Sequence, residues 1–186
     1  MMDIEKYKEK IKLQFDIIKR TDGYIATTNN KAALLLAVNG ATATIISNKI
    51  GEFTGLFQGD GLYTLILFLL LFMIFVFIFM SVLRSLESIM PNMSGRKGKG
   101  DSTDSNVSFV FISSNDDGKE YYKKYLAESE ESLLQDMCEQ SFILAYIAKQ
   151  KFVCFSLAVS WIKRAYMCIL LLVIFKYIDY ANGVLL

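Results

Sequence analysis

The sequence predicts an α-helical integral membrane protein with about three transmembrane helices and a mainly helical cytoplasmic region containing a short β segment. Three observations lead there. The run "LYTLILFLLLFMIFVFIFMSVL", residues 62–83, carries no charge between Asp60 and Arg84, and about 20 apolar residues suffice to cross the hydrocarbon core of a bilayer. Hydrophobic residues make up 53% of the 186-residue chain, and the mean hydropathy of +0.35 is high for a soluble domain of this size. The segments flanking the apolar runs repeat at helical spacing.

Residues 1–28 read as an N-terminal cytoplasmic amphipathic helix. Within "DIEKYKEKIKLQFDIIKR", Ile4, Tyr7, Ile11, Phe15 and Ile18 form one stripe, so the helix needs a partner for that face. "TDGYIATTNN" breaks it, with Gly23 as the stop. A charged, periodic beginning of this kind is not a secretory signal.

Residues 29–84 form a transmembrane hairpin with spans at about 31–48 and 62–83. The second is rich in Leu, Ile, Phe and Val, each favouring the membrane by about 0.3–0.6 kcal/mol. The first is weaker because of Asn39, Thr42 and Thr44. Its small and polar residues Ala33, Ala37, Gly40, Ala41, Thr44 and Asn48 share a stripe that lets another helix approach closely. It is built for packing against helices rather than for facing lipid. The glycine-rich connection from Asn48 to Gly61 suits a tight hairpin.

Residues 85–106 make a flexible linker, and residues 107–155 a cytoplasmic strand–helix region of the size of a sensor. There Val107, Phe109 and Phe111 alternate with Ser108, Val110 and Ile112, which reads as a strand. Asn115 to Asp117 offer caps for a helix over "GKEYYKKYLA", and Ser129 for the next. In that next helix Leu133, Met137, Gln140, Leu144, Ile147 and Lys151 have the period to pair with the N-terminal helix, coiled-coil fashion.

Residues 156–180 supply the third transmembrane helix, interrupted by Lys163 and Arg164. The pair belongs either at the cytoplasmic interface or in a bundle interior, and a span over about 157–179 fits best. Basic residues Lys19, Arg20 and Lys31 precede the first span and Arg84, Arg96, Lys97 and Lys99 follow the second, against Lys49 alone between them. The positive-inside rule then gives a multi-pass inner-membrane protein with a cytoplasmic N-terminus.

The composition also excludes. The chain has no histidine, the commonest metal ligand and general base, and its net charge of +1 gives a nucleic-acid partner no global electrostatic support. Cys138, Cys154 and Cys168 have no CxxC spacing and read as free thiols in a reducing compartment. No phosphate loop, dinucleotide fingerprint, nucleophile elbow or metal-ligand cluster is present, so neither an enzyme nor a cofactor is expected. The acids of "AESEESLLQD" could do acid–base work, but at a helix start they favour the macrodipole. Tyr121–Tyr122 and Phe109–Phe111 could stack on a base, or simply pack.

"NNKAALLLAVNGA" resembles the approach to the first span in the Pycsar transmembrane effector family, where Asp-Thr-Lys-Ala leads into Leu-rich sequence and Asn-Gly-Ala. Lys31, Ala32, Asn39, Gly40 and Ala41 match, while Asn29 stands in the aspartate's place. A Phe-rich segment, "YYKKYL" and "SEESLLQDMCEQSFILAYIAKQK" are similar in content and order; "FISS" departs from the family's Gly-Asp. The resemblance implies an anti-phage effector that binds cyclic CMP or cyclic UMP from a pyrimidine cyclase and impairs the membrane, causing abortive infection. Its implied partners are the cyclic nucleotide, the lipid bilayer and further copies of itself, in a homo-oligomer. A pocket for such a ligand needs a cation, donors and an aromatic face, for which Asn29, Lys31, Ser108, Phe109 and Phe111 are the candidates. Lys31 reads equally as an interfacial anchor. Ala33, Ala37, Gly40 and Ala41 are the helix-packing candidates. The competing reading is a membrane scaffold recruiting a cytoplasmic protein, and a neighbouring cyclase gene would discriminate the two.

Overall fold

The computed structural model describes residues 2–54, 61–90, 107, 112–113 and 115–184. It contains helices α1 (Met2–Thr54), α2 (Gly61–Ile89), α3 (Gly118–Ala127) and α4 (Glu130–Val184). Three of them, α1, α2 and α4, are long and apolar enough to cross a membrane. The chain divides into two compact units, Met1–Thr27 with Pro91–Gln150 and Thr28–Met90 with Lys151–Leu186.

The expected break at Gly23 does not occur, because α1 runs through it to Thr54. A glycine costs a helix interior only about 1 kcal/mol relative to alanine. The inward-facing positions meanwhile continue without a gap through Ile18, Thr21, Ile25, Thr28 and Ala32. These steps of three and four are a heptad pattern, and the polar members conceal it. The Thr21 and Thr27 hydroxyls donate to the carbonyls of Ile17 and Gly23, at 2.9 and 2.8 Å. Polar side chains are thus satisfied within the helix instead of ending it. α1 also passes Asn48, where the hairpin connection was expected to begin, and runs to Thr54; residues 55–60 lie outside the described residues.

In the first unit the early turns of α1 meet the early turns of α4, as the shared period predicts. Met137 and Ala148 are buried there, and the Ser141 hydroxyl donates to Gln14 Oε1 at 2.9 Å. On α1, Tyr7, Ile11 and Ile18 of the expected stripe are half-buried, and Phe15 alone of its described members departs from it. Gln14 takes the inward place and Phe15 is 58% exposed. α3 starts where expected. Asp117 has an extended backbone, and its Oδ1 accepts from the N–H groups of Lys119 and Glu120 at 2.9 and 2.7 Å. Such a cap contributes about 1 kcal/mol. Ser129 caps α4 through a 3.2 Å bond from the Ser132 N–H.

No strand occurs among the described residues. Val107 lies in a turn and Ile112 and Ser113 are helical, while Ser108, Phe109, Val110 and Phe111 lie outside the described residues. The alternation was a weak strand signal, since its nominally polar face included Val110 and Ile112. The Val107 N–H donates to Asp136 Oδ2 at 3.1 Å, which ties Val107 to α4.

The second unit is a bundle of α1, α2 and α4. Its core joins Ile46, Ile74, Ile78, Ile162, Ala165 and Leu172. α2 runs antiparallel to the other two, since Ser88 pairs with Lys151 and Ser81 with both Asn39 and Ala158. Its inward row changes from Leu67, Ile74 and Ile78 to Ser81, Ser85 and Ser88, all buried. Serines let neighbouring backbones approach, and each hydroxyl finds a bond. Ser81 Oγ donates to the Ala158 carbonyl at 3.0 Å, Ser85 Oγ to the Ser81 carbonyl at 2.8 Å, and Ser88 Oγ to the Lys151 carbonyl at 3.1 Å. Asn39 Nδ2 donates to Ser81 Oγ at 3.0 Å, leaving the fully buried Asn39 Oδ1 without a partner among the described residues.

Candidate functional site

A cavity of about 470 Å³ opens in the first unit between α1, α3 and α4. α1 contributes Lys8, Ile11, Lys12 and Phe15; α3 contributes Tyr121 and Tyr125; α4 contributes Leu133 and Met137; Val107 and Ile112 complete the wall. Helical geometry explains the grouping. Lys8 and Lys12 are four residues apart, as are Tyr121 and Tyr125, and residues at that spacing share a face. The tyrosine rings lie 6.1 Å apart, tilted by 42°, and buried Met137 forms part of the floor. Beside them the Lys124 ammonium and the Asp116 N–H hold the Glu120 carboxyl below its ordinary pKa. Two ammonium groups, three aromatic rings and an apolar floor suit a small, flat, anionic molecule. The volume falls within the roughly 300–1,000 Å³ usual for small-molecule sites.

The second unit has a polar centre of a different kind. Lys151 is 6% exposed, and its Nζ lies 3.0 Å from Asn29 Oδ1 and 2.5, 3.2 and 3.4 Å from the carbonyls of Ser88, Ile89 and Met90. Those carbonyls end α2, where a cation is favoured by the helix dipole and orphan acceptors need donors. One lysine therefore pins α1, the end of α2 and α4 together. Among the described residues no group of acids and cysteines could hold a metal ion.

Residues 13–178 match the Pycsar effector protein domain. The chain belongs to the Pycsar effector family. It is 77% identical over 185 residues to the Pycsar effector protein EcPycTM of Escherichia coli, and the match covers 100% of both chains. No solved structure matches the chain. A Pycsar effector with three candidate spans is a membrane protein of anti-phage defence, and its family is one of effectors rather than of enzymes.

The residues expected in the site of this Pycsar effector are distributed differently. Asn29 is half-buried and occupied by Lys151, whereas Lys31 is exposed. Two residues apart on a helix, they face different directions and form no common surface. Ser108, Phe109 and Phe111 lie outside the described residues, in the segment between the cavity residues Val107 and Ile112. Lys8, Lys12 and Phe15 were missed because alternating lysines on an amphipathic helix read as a solvated face. Phe15 shares the apolar period of Tyr7, Ile11 and Ile18 in the sequence, so no local signal sets it apart. The packing candidates Ala33, Ala37, Gly40 and Ala41 are all exposed, on the side of α1 away from the bundle.

Lys163 and Arg164 of the Pycsar effector are also exposed rather than turned into the bundle. The Arg164 guanidinium lies 4.3 Å from the Trp161 ring centroid, and Trp161 meets Phe77 at 5.7 Å. Phe77 is seven residues inside Arg84, or about 10 Å at 1.5 Å per residue. Because α2 and α4 are antiparallel, the two cations lie deeper still, beside the middle of the uncharged run. On the insertion scale each such cation at a span centre costs about 2.5–3.5 kcal/mol.

Proposed function

We propose that this chain is the membrane effector that a cyclic pyrimidine mononucleotide, cyclic CMP or cyclic UMP, switches on to impair the membrane and abort infection. The observation that carries it is the cavity of the first unit, which combines Lys8 and Lys12 with Phe15, Tyr121 and Tyr125. The cyclic phosphate has one negative charge for the lysines, and the base is a flat surface for the rings. Lys31, exposed on α1, anchors that helix at the interface. The kinship with a protein named as a Pycsar effector supports the same reading.

Calorimetry on the full detergent-solubilised chain with cyclic CMP, UMP, AMP and GMP tests it. One of the pyrimidine nucleotides is expected to bind best. Lys12→Ala should weaken that binding by about 1.5–3 kcal/mol, the worth of a charge-assisted hydrogen bond. Lys31→Ala should leave affinity unchanged. Binding of none of the four nucleotides refutes the sensor, and the reverse outcome for the two lysines moves the site to the first span.

The basic residues flanking the spans support a cytoplasmic N-terminus, with residues 48–61 on the outer side of the inner membrane. In intact cells an impermeant thiol reagent should modify a cysteine placed at 56 in a cysteine-free chain. Modification at 103 instead overturns this orientation.

A further inference from the structure

We propose that Lys163 and Arg164 line a water-filled passage between copies of this chain, and that the passage conducts anions. The inference rests on the membrane-impairing function proposed above and states what crosses the membrane. Both cations lie beside the middle of the uncharged run of α2, through the Phe77–Trp161 contact, and both are exposed. A charge at that depth is costly against lipid and faces a protein interior or water instead.

The chain offers it no carboxylate. No Asp or Glu occurs in residues 23–51, 61–83 or 140–178. A second copy brings the same three acid-free spans, so an ion pair between copies at this depth is equally excluded. The remaining counter-charge is a mobile anion in water, and rings of Lys or Arg are how pores select anions.

The surrounding face fits this role. At helical spacing Ser156, Ser160 and Lys163 share one side of α4, with Ser156 exposed and Ser160 half-buried, so hydroxyls lead up to the charge. Beyond it the side turns apolar at exposed Met167, Leu171 and Ile174. Such a hydrophobic stretch closes a passage by dewetting until its walls move apart. The exposed small residues of α1 supply a surface on which copies can meet closely.

The test uses the full chain with its three native cysteines changed to serine, in vesicles of phosphatidylethanolamine and phosphatidylglycerol. Lys163→Cys is expected to react with water-soluble thiosulfonates, and about tenfold faster with an anionic than a cationic reagent, because Arg164 remains beside it. Leu69→Cys, on the exposed side of α2, should stay unreactive. A thiol in the Lys163→Cys variant as inert as that of Leu69→Cys, or one that reacts equally with both reagents, overturns the passage. Ion release adds a separate arm. Vesicles opened by cyclic CMP or UMP should lose chloride well before potassium, and Lys163→Gln with Arg164→Gln should abolish that preference. Equal release of both ions by the parent overturns the anion passage and leaves the effector function standing. Absence of release with every nucleotide overturns the effector function, and thiol reactivity then decides the passage by itself.

Discussion

Lys151→Met should destabilise the second unit by about 3 kcal/mol, since it removes several hydrogen bonds to a charged donor while keeping the length of the side chain. Four acceptors depend on this amine: Asn29 Oδ1 and the carbonyls of Ser88, Ile89 and Met90. Methionine donates to none of them, so the end of α2 loses its cap, and the carbonyl of fully buried Ser88 loses its donor where water does not reach. Thermal unfolding in detergent reads the effect, with Lys149→Met as the comparison. Lys149 is exposed two residues earlier on α4, and its loss should change stability by less than about 0.5 kcal/mol. Equal unfolding of the two variants means that Lys151 holds nothing together.

Gly40→Leu should leave the chain folded and inserted but abolish killing. A Cβ at Gly40 meets nothing within 4 Å, so leucine causes no clash inside the chain. Its helix propensity is better than glycine's by nearly 1 kcal/mol, and leucine favours the bilayer. Stability and membrane content should therefore hold or rise. Killing of cells and leakage of vesicles should stop, because the bulk now stands where copies would have to approach. Leu70→Ala is the counterpart, since Leu70 packs against the core of the chain itself. Its expected cost is stability, about 2 kcal/mol or more. If Gly40→Leu killed normally while Leu70→Ala did not, close contact along α1 would be irrelevant to function.

How much of this was legible in the sequence depended on how pure the period was. α2 announced itself, because nothing polar interrupts it from Leu65 to Met80. The caps at Asp117 and Ser129 were equally plain, since a short oxygen-bearing side chain before a helix has one common use. α1 was misread at Gly23 because Thr21, Thr28 and Asn39 occupy inward positions where apolar residues were sought. In a bundle tied by hydroxyl and amide bonds, polarity no longer marks the outer face. The same confusion hid Lys151. It was noticed as the last member of an apolar stripe, but its partners come from residues about 60 and 120 positions away, which no local pattern reveals. The lysines of the cavity were invisible for the opposite reason, being ordinary surface residues until α3 folds across them.

The orphaned acceptor of Asn39 bears on how sharply such an effector can respond. Moving a two-state protein from one part in a hundred active to ninety-nine takes about 5.5 kcal/mol of bias. A buried polar atom with no partner costs the arrangement that holds it about 1–3 kcal/mol. Any repacking of α1 that gave Oδ1 a donor would recover that amount. The bundle as described thus carries a fixed handicap relative to such a state, and the trigger of the proposed function has to contribute only the difference. Asn39→Leu removes the handicap, about 1–3 kcal/mol, together with the Nδ2 bond to Ser81 Oγ, about 0.5–1.5 kcal/mol, so on the proposed function it should raise the cyclic nucleotide concentration needed for activation.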